Sequence, residues 1–254
     1  MCSATHPERQ MARTSKTPPP QQVLSIDIGG TGLKAALVDL NGKLLTDRVR
    51  MPTPYPCTPP VLIDSIAKLV EPLPQHQCVA AGFPGVVRDG KVITAPHFDT
   101  PHWAGFELAQ ALSHRLGGAC LLINDAEMQG LAAVTGKGLE LMLTLGTGAG
   151  TGLFCDGEIM PHMELAHHPI HKDKTYNDYV GDKALRKTGK KQWNRRVAHV
   201  IDILNKLLNC DRLYIGGGNS RLITLTLRKS VTLVPNDAGV EGGGVLWRRM
   251  SRLS

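Results

Sequence analysis

Twice in this chain an apolar strand runs straight into a glycine-threonine-glycine turn: "SIDIGGTGLKAALVD" at residues 25–39 and "LMLTLGTGAGTG" at residues 141–152. A phosphate held by backbone N–H groups needs the chain to come close and often to take positive φ, so glycine is the natural residue there. A tight hairpin alone explains either turn. Two of them, one in each half of the chain and the first opened by an aspartate, point to phosphate chemistry. In the first turn, Asp27 is suited to hold Mg²⁺ through water, Gly29, Gly30 and Thr31 to donate to phosphate, and Lys34 to add positive charge. Gly146, Thr147 and Gly148 take the same part in the second. Neither turn is a Walker loop, since no GK[ST] follows, and neither is a GxGxxG opening a helix.

The rest of the chain frames these turns. At 254 residues and 42% hydrophobic, it has enough apolar material for one compact unit or two α/β lobes. "VLSIDI" reads as a buried strand, followed by a second strand, a hairpin turn at Asn41 and Gly42, and a third strand directly after it. A helix with Val61, Ile66, Leu69 and Val70 on one face comes next. Strands at "CVAAGFPG" and "ACLLIND" flank a helix from about Phe106 to Leu116. The second half repeats the plan, with a helix from Ala126, a strand at "LMLTL", a hairpin through "CDGEI", and a long helix around "QWNRRVAHVIDILNKLLN". In that helix Val197, Val200, Ile201, Leu204, Leu207 and Leu208 recur at helical spacing. The strand "RLYI", the turn "GGGN" and a closing helix from about Gly239 to Met250 complete it. Lobes at residues 23–123 and 124–254 are expected, with the last helix able to pack back on the first lobe.

The first segment, "MCSATHPERQMARTSKTPPPQQ", lacks the apolar core of a signal peptide, and no run elsewhere is long enough to span a bilayer. Residues 1–22 are therefore expected as a disordered leader of a cytoplasmic protein that meets no membrane. The formal charge of +7 favours an anionic partner, and the basic residues are spread along the chain rather than gathered in a tail. A small or polymeric phosphate fits this better than nucleic acid. Six cysteines without a CxxC pair read as reduced thiols rather than a zinc site.

The two turns, together with "GFPG" at 82–85, "LINDAE" at 122–127, "ELAHH" at 164–168 and "YIGGG" at 214–218, resemble the sugar kinases of the ROK family. The likeness runs from about residue 23 to the end. It is nearest to the polyphosphate glucokinase branch, through the "KKQWNRRVAHVIDILN" helix. The resemblance implies an actin-like, ribonuclease H-like fold of two α/β lobes around a cleft. It also implies a glucokinase that moves a phosphoryl group from polyphosphate or ATP to the 6-hydroxyl of glucose with Mg²⁺, commonly as a homodimer. Repressors of the family carry a helix-turn-helix domain ahead of the kinase-like part, and the proline-rich stretch before Val23 is not expected to form one. The remaining alternative is a catalytically weak sugar-binding or regulatory protein.

Asp125 has two readings from the residues alone, a helix N-cap or a carboxylate facing the cleft; the resemblance makes it the general base. Asn124 beside it offers an amide to a sugar hydroxyl, and Pro84 and Gly85 belong to the sugar side. Glu164 and His167 match the family's Glu-x-Gly-His sugar motif, although Ala166 stands where glycine is usual. The family's zinc-binding cysteines are missing, so no zinc is expected, and the sugar-binding glutamate that follows them is missing too. Asn177 and Asp178 are candidates to replace it. Trp103 in "TAPHFDTPHWAGF" is either a wall of the sugar loop or a packed tryptophan.

For the donor, Gly217 and Gly218 in "GGGN" would let an adenine lie flat on the backbone. The cations Lys172, Lys174, Lys183, Arg186, Lys187, Lys190, Lys191, Arg195 and Arg196 would instead form a track for polyphosphate, or else an ordinary solvated helix face.

Overall fold

The computed structural model describes residues 21–98, 100–235 and 238–253. Of the expected leader, only Gln21 and Gln22 fall among the described residues; both backbone amides donate to the Gln77 side-chain carbonyl.

Two five-stranded sheets share one plan. The first contains β1 (Val23–Ile28), β2 (Gly32–Val38), β3 (Val49–Pro52), β4 (Cys78–Phe83) and β5 (Ala119–Asn124), in the order β3-β2-β1-β4-β5. The second contains β6 (Leu139–Leu145), β7 (Ala149–Cys155), β8 (Glu158–Ile159), β9 (Arg212–Gly216) and β10 (Val231–Leu233), in the order β8-β7-β6-β9-β10. In each, an antiparallel meander is extended by two strands running parallel to its first. The glycine turns therefore occupy matching hairpins, β1–β2 and β6–β7. This is the actin-like α/β fold expected from the sequence.

Local chemistry explains most of these elements. β4 is buried along its whole length, as a parallel strand covered on both faces must be, and so reads as one apolar run. The helix α1 (Pro59–Val70) begins with proline, whose missing N–H costs nothing in the first turn. It buries Leu62, Ile66, Ala67 and Leu69 while Val61 is exposed; the expected face was rotated by one residue at its start. On the long helix α4 (Asp182–Leu208), Trp193, Val197, Val200, Ile201 and Leu204 are buried. Its stripe continues through Leu208 rather than the exposed Leu207, following the i, i+4 row. The strand expected just after Asn41 and Gly42 does not form. Asp39 Oδ1 accepts the Asn41 and Lys43 amides and closes the turn with a side chain, leaving one isolated bridge between Val38 and Leu44.

The lobes meet over two helices, α3 (Asp125–Ala133) and α5 (Ala238–Leu253), which share one core with both sheets. Val23, Val38 and Ala80 come from the first sheet, Met142, Phe154 and Tyr214 from the second, and Leu131, Val240, Val245 and Leu246 from the two helices. The run "GVEGGG" in α5 permits this approach: a Cβ at Gly242 would collide with the Met128 carbonyl, and one at Gly244 with the Asp39 carbonyl. Ser25 Oγ donates to the Val240 carbonyl at 2.5 Å, tying α5 to β1. The closing helix thus does pack back on the first sheet. Among the described residues no helix is long and apolar enough to cross a membrane.

Candidate active site

A cleft of about 440 Å³ lies between the sheets. The carboxyl ends of β1, β5 and β6 open into it, where parallel-sheet folds gather ligand-binding groups. Asp27, Gly29, Gly30, Thr31, Lys34, Pro84, Gly85, Asn124, Asp125, Gly146, Thr147, Gly148, Glu164, Gly217 and Gly218 all line it. Of the residues picked from the sequence for the site, His167, Asp178 and Trp103 are not in this lining; His167 is exposed on the turn Leu165–His167.

The two glycine turns are built alike. In the first, the Gly29 amide donates to the Gly32 carbonyl, and in the second the Gly146 amide donates to the Gly148 carbonyl, each at 3.0 Å. Gly29 and Gly146 therefore shape the turns and do not offer their own amides to a ligand. The amides of Gly30, Thr31, Thr147 and Gly148 have no partner among the described residues and remain for an anion. The Thr53 hydroxyl and the Tyr55 hydroxyl hold the Gly29 and Gly30 carbonyls. Opposite, the Asn177 side-chain carbonyl accepts the Ala149 amide at 2.8 Å, and Asn219 donates to the Gly146 carbonyl at 3.2 Å. Asn177 thus braces the second turn; Asp178 completes the capping box of its short helix, its carboxylate accepting from the amide and hydroxyl of the cap Thr175 on the exposed side. A Cβ on Gly30 would stand 3.4 Å from Thr147 Oγ1 and from the His97 ring, so the turns nearly touch across the cleft.

Asp27 and Lys34 face each other across the β1–β2 hairpin, and their charged atoms pair at 3.0 Å. Lys34 is therefore a partner of Asp27 before it is a partner of phosphate.

Asp125 is the first residue of α3, but it is not the cap. Asn124 takes that place: its Oδ1 accepts the Ala126 and Glu127 amides, and Glu127 returns the bond to the Asn124 amide. Its Nδ2 donates to the Gly85 carbonyl at 3.0 Å. Asn124 thereby fixes Asp125 and the Pro84–Gly85 bend while lining the cleft. The Asp125 carboxyl is left facing the cleft. Burial and then the nearby Asp27 charge raise its pKa to about 7, against which the Ala126 amide and His162 act in the other direction.

The loop before the short helix at Thr100–Trp103 contributes Pro96 and His97 to the lining. Burial and the neighbouring His167 lower the His97 pKa, with Glu164 opposing. Trp103 is no wall of the cleft. It is fully buried, donates to the Cys57 carbonyl at 2.9 Å and packs on Phe83, Phe98 and Phe106. The sequence reading also missed Gln129, which follows Asp125 at i+4 on one helical face, and that spacing was a usable signal. Gly239 was missed as well: α5 starts so close to Asp27 that a Cβ there would lie 2.8 Å from Oδ2. Nothing in the local sequence announces that contact.

The second glycine turn also receives the start of α4. The Asp182 amide donates to the Gly146 carbonyl at 3.0 Å, and Asp182 and Arg186 line the cleft as an i, i+4 pair at 2.7 Å. α4 is kinked at Gly189, whose φ and ψ are not helical; Lys183 and Lys187 are exposed before the kink, and Lys190, Lys191 and Arg195 after it. Arg196 is spent otherwise, stacked 4.9 Å over Tyr179. Beyond Gly217 and Gly218 a second hollow opens between Ser220, Arg221, Leu233, Val234 and Pro235.

The sequence pattern of the ROK family matches residues 23–173. The chain belongs to the ROK family. A polyphosphate glucokinase of Mycobacterium tuberculosis (strain H37Rv) is 31% identical over 252 residues, spanning 91% of this chain and 94% of that protein. The structure of an inorganic polyphosphate/ATP-glucomannokinase from Arthrobacter sp. strain KM aligns with a TM-score of 0.81 at 30% identity, over 90% of this chain and 99% of that one. A ROK family glucokinase from Streptomyces griseus, in complex with glucose and AMPPNP, shares the fold with a TM-score of 0.76 at 20% identity, over 90% and 99% of the two chains. The matching hairpins and the cleft between them are thus features of a ROK fold.

Proposed function

We propose that this protein is a hexose kinase that transfers a phosphoryl group from polyphosphate or ATP to the 6-hydroxyl of glucose. The observation that carries the reading is Asp125: a cleft carboxyl with its pKa raised to about 7, at the junction of two turns whose amides await an anion. A general base works best with a pKa near the working pH. Asp125 would take the proton of the sugar hydroxyl as its oxygen forms a bond to the terminal phosphorus and the bond from that phosphorus to the donor breaks. Glu164 would hold sugar hydroxyls, and Gly30, Thr31, Thr147 and Gly148 would hold phosphate oxygens. The lobes, divided at residues 123 and 124, would close over the pair and exclude water.

Mg²⁺ belongs to this proposal: among the described residues no three carboxylate, histidine or cysteine side chains gather as a metal site, so an ion would rest mainly on water and donor phosphate, with the nearby carboxylates Asp27 and Asp125 supplying the negative charge that favours it. Asp27 would hold it through water, and the ion would neutralise charge on the transferred group. Support for polyphosphate comes from the relatives' names and from α4, whose exposed cations begin at the cleft with Arg186. Support for ATP comes from the hollow beside Gly217 and Gly218, bordered by Leu233, Val234 and Pro235, where a base would find apolar walls. A sugar-binding protein of weak activity is the second reading, favoured by His167 lying off the cleft and by Ala166 filling the place of a glycine.

The test is glucose phosphorylation by the purified protein with Mg²⁺, supplying ATP and long-chain polyphosphate separately. Turnover with either donor supports the kinase; glucose binding without turnover supports the second reading.

A further inference from the structure

Glu127, His162 and Glu164 form a chain of contacts behind the cleft. His162 Nδ1 meets Glu127 Oε1 at 2.8 Å, and its Nε2 points to Glu164 Oε2 at 3.7 Å. The side chains of Glu127 and His162 are 9% and 10% exposed, whereas Glu164, at 26%, reaches the cleft. His162 Nε2 is buried without a hydrogen-bond partner, an expensive condition that a small inward movement of Glu164 would relieve. Glu127 is already fixed by the Asn124 amide. The groups therefore lead from the helix that begins with Asp125 to the carboxylate assigned to the sugar, with one gap of 3.7 Å between His162 and Glu164.

We propose that His162 is a positioning residue, an imidazolium that bridges Glu127 and Glu164 and holds the sugar-binding carboxylate in register with the Asp125 helix. The groups facing the ring are Glu127 and Asp125 from α3 and Glu164 from its own segment. Burial alone would lower the pKa of His162, but its hydrogen bond to Glu127 and the negative charges of Glu127 and Glu164 outweigh it and bring the value to about 9. Both ring nitrogens then carry protons at neutral pH, one for each carboxylate. The same positive charge works against the rise of the Asp125 pKa.

The role given to Glu164 rests on the hexose-kinase reading, whereas the bridge itself does not. Two measurements separate them. Histidine-resolved NMR of the whole protein should show His162 protonated until about pH 9, and should show its titration moved towards the ordinary value of about 6.5 in Glu127→Gln. In steady-state assays His162→Gln should raise KM for glucose by about tenfold or more, as expected on losing a charge-assisted contact, with a smaller change in kcat and none in KM for the donor. The wild-type KM for glucose should climb as pH passes about 9, and that limb should vanish in His162→Gln. Ordinary titration of His162 in the wild type near pH 6.5 overturns the bridge, whatever the enzyme does. An active wild type with glucose KM and alkaline limb unchanged in a folded His162→Gln overturns the positioning role and leaves the kinase standing. If no hexose is phosphorylated, the kinase reading fails and the NMR result alone decides the bridge.

Discussion

Asp27 and Lys34 are direct cross-strand neighbours whose charged atoms lie 3.0 Å apart, and Asp27 is also the strongest charge acting on Asp125. The lysine thus moderates a repulsion between two carboxylates. Lys34→Met should leave Asp27 uncompensated and raise the Asp125 pKa further, by roughly half a unit to one unit. The acidic limb of kcat/KM should move to higher pH by that amount, and a profile that stays in place would separate Lys34 from the base.

Asp125 is expected to carry the proton transfer. Asp125→Asn should lower kcat by about 10²–10⁴-fold, the usual contribution of a general base, while glucose binding measured by calorimetry persists. Its stability should move the other way. Because the folded pKa of about 7 lies above the unfolded value near 3.8, ionisation burdens the folded state increasingly as pH rises between them. Without Mg²⁺, Asp125→Asn should be more stable than the wild type at pH 8 by up to about 4 kcal/mol, with the difference gone near pH 4. Thermal unfolding at the two pH values reads this directly.

The exposed cations of α4 separate the donors. Replacing Lys187, Lys190 and Lys191 together by Gln should raise KM for long-chain polyphosphate by about tenfold at low salt and flatten its dependence on ionic strength. KM for ATP should change by less than about twofold. Equal loss with both donors would place the cations in the cleft itself rather than on a track leading away from it.

Much of this architecture is legible because β1 and β6 are short apolar strands ending at glycines, and α4 keeps a strict i, i+4 row. The Asn41–Gly42 turn misled because Asp39 satisfies the turn amides by itself, so no ladder is needed afterwards. The structural work of Asn124 was hidden for a related reason: an asparagine between a strand and a helix can cap one, bind a ligand or do both, and only the tertiary partners Gly85 and Phe83 reveal its hold on the bend. The pairing of His162 with Glu127 and the approach of Gly239 to Asp27 were invisible because the partners are distant in sequence. Trp103, finally, ends a short helix that turns into the core, while Pro96 and His97 of the preceding loop line the cleft.

The glycines of α5 give a sharp stability test. Gly242→Ala would force a Cβ into the Met128 carbonyl, and neither backbone has room to move without opening the shared core. A loss of about 1–3 kcal/mol or more is expected, read as a lower melting temperature. The outward-facing Gly189 has open space around it, but its φ of 74° and ψ of 161° lie in a region that is essentially glycine's alone, so Asn and Val alike should destabilise the protein there, by about 1–3 kcal/mol.

The place of α5 also fixes an order of events during synthesis. Val23 of β1 and Leu246 of α5 belong to one core, yet they are separated by nearly the whole folded sequence. A nascent chain can pair the strands of its first sheet as they emerge, but the inner face of that sheet stays uncovered until the closing helix has left the ribosome. Folding of the first lobe is therefore completed only after the second has been made, and the half-made protein must wait with an apolar face that other chains or chaperones can reach.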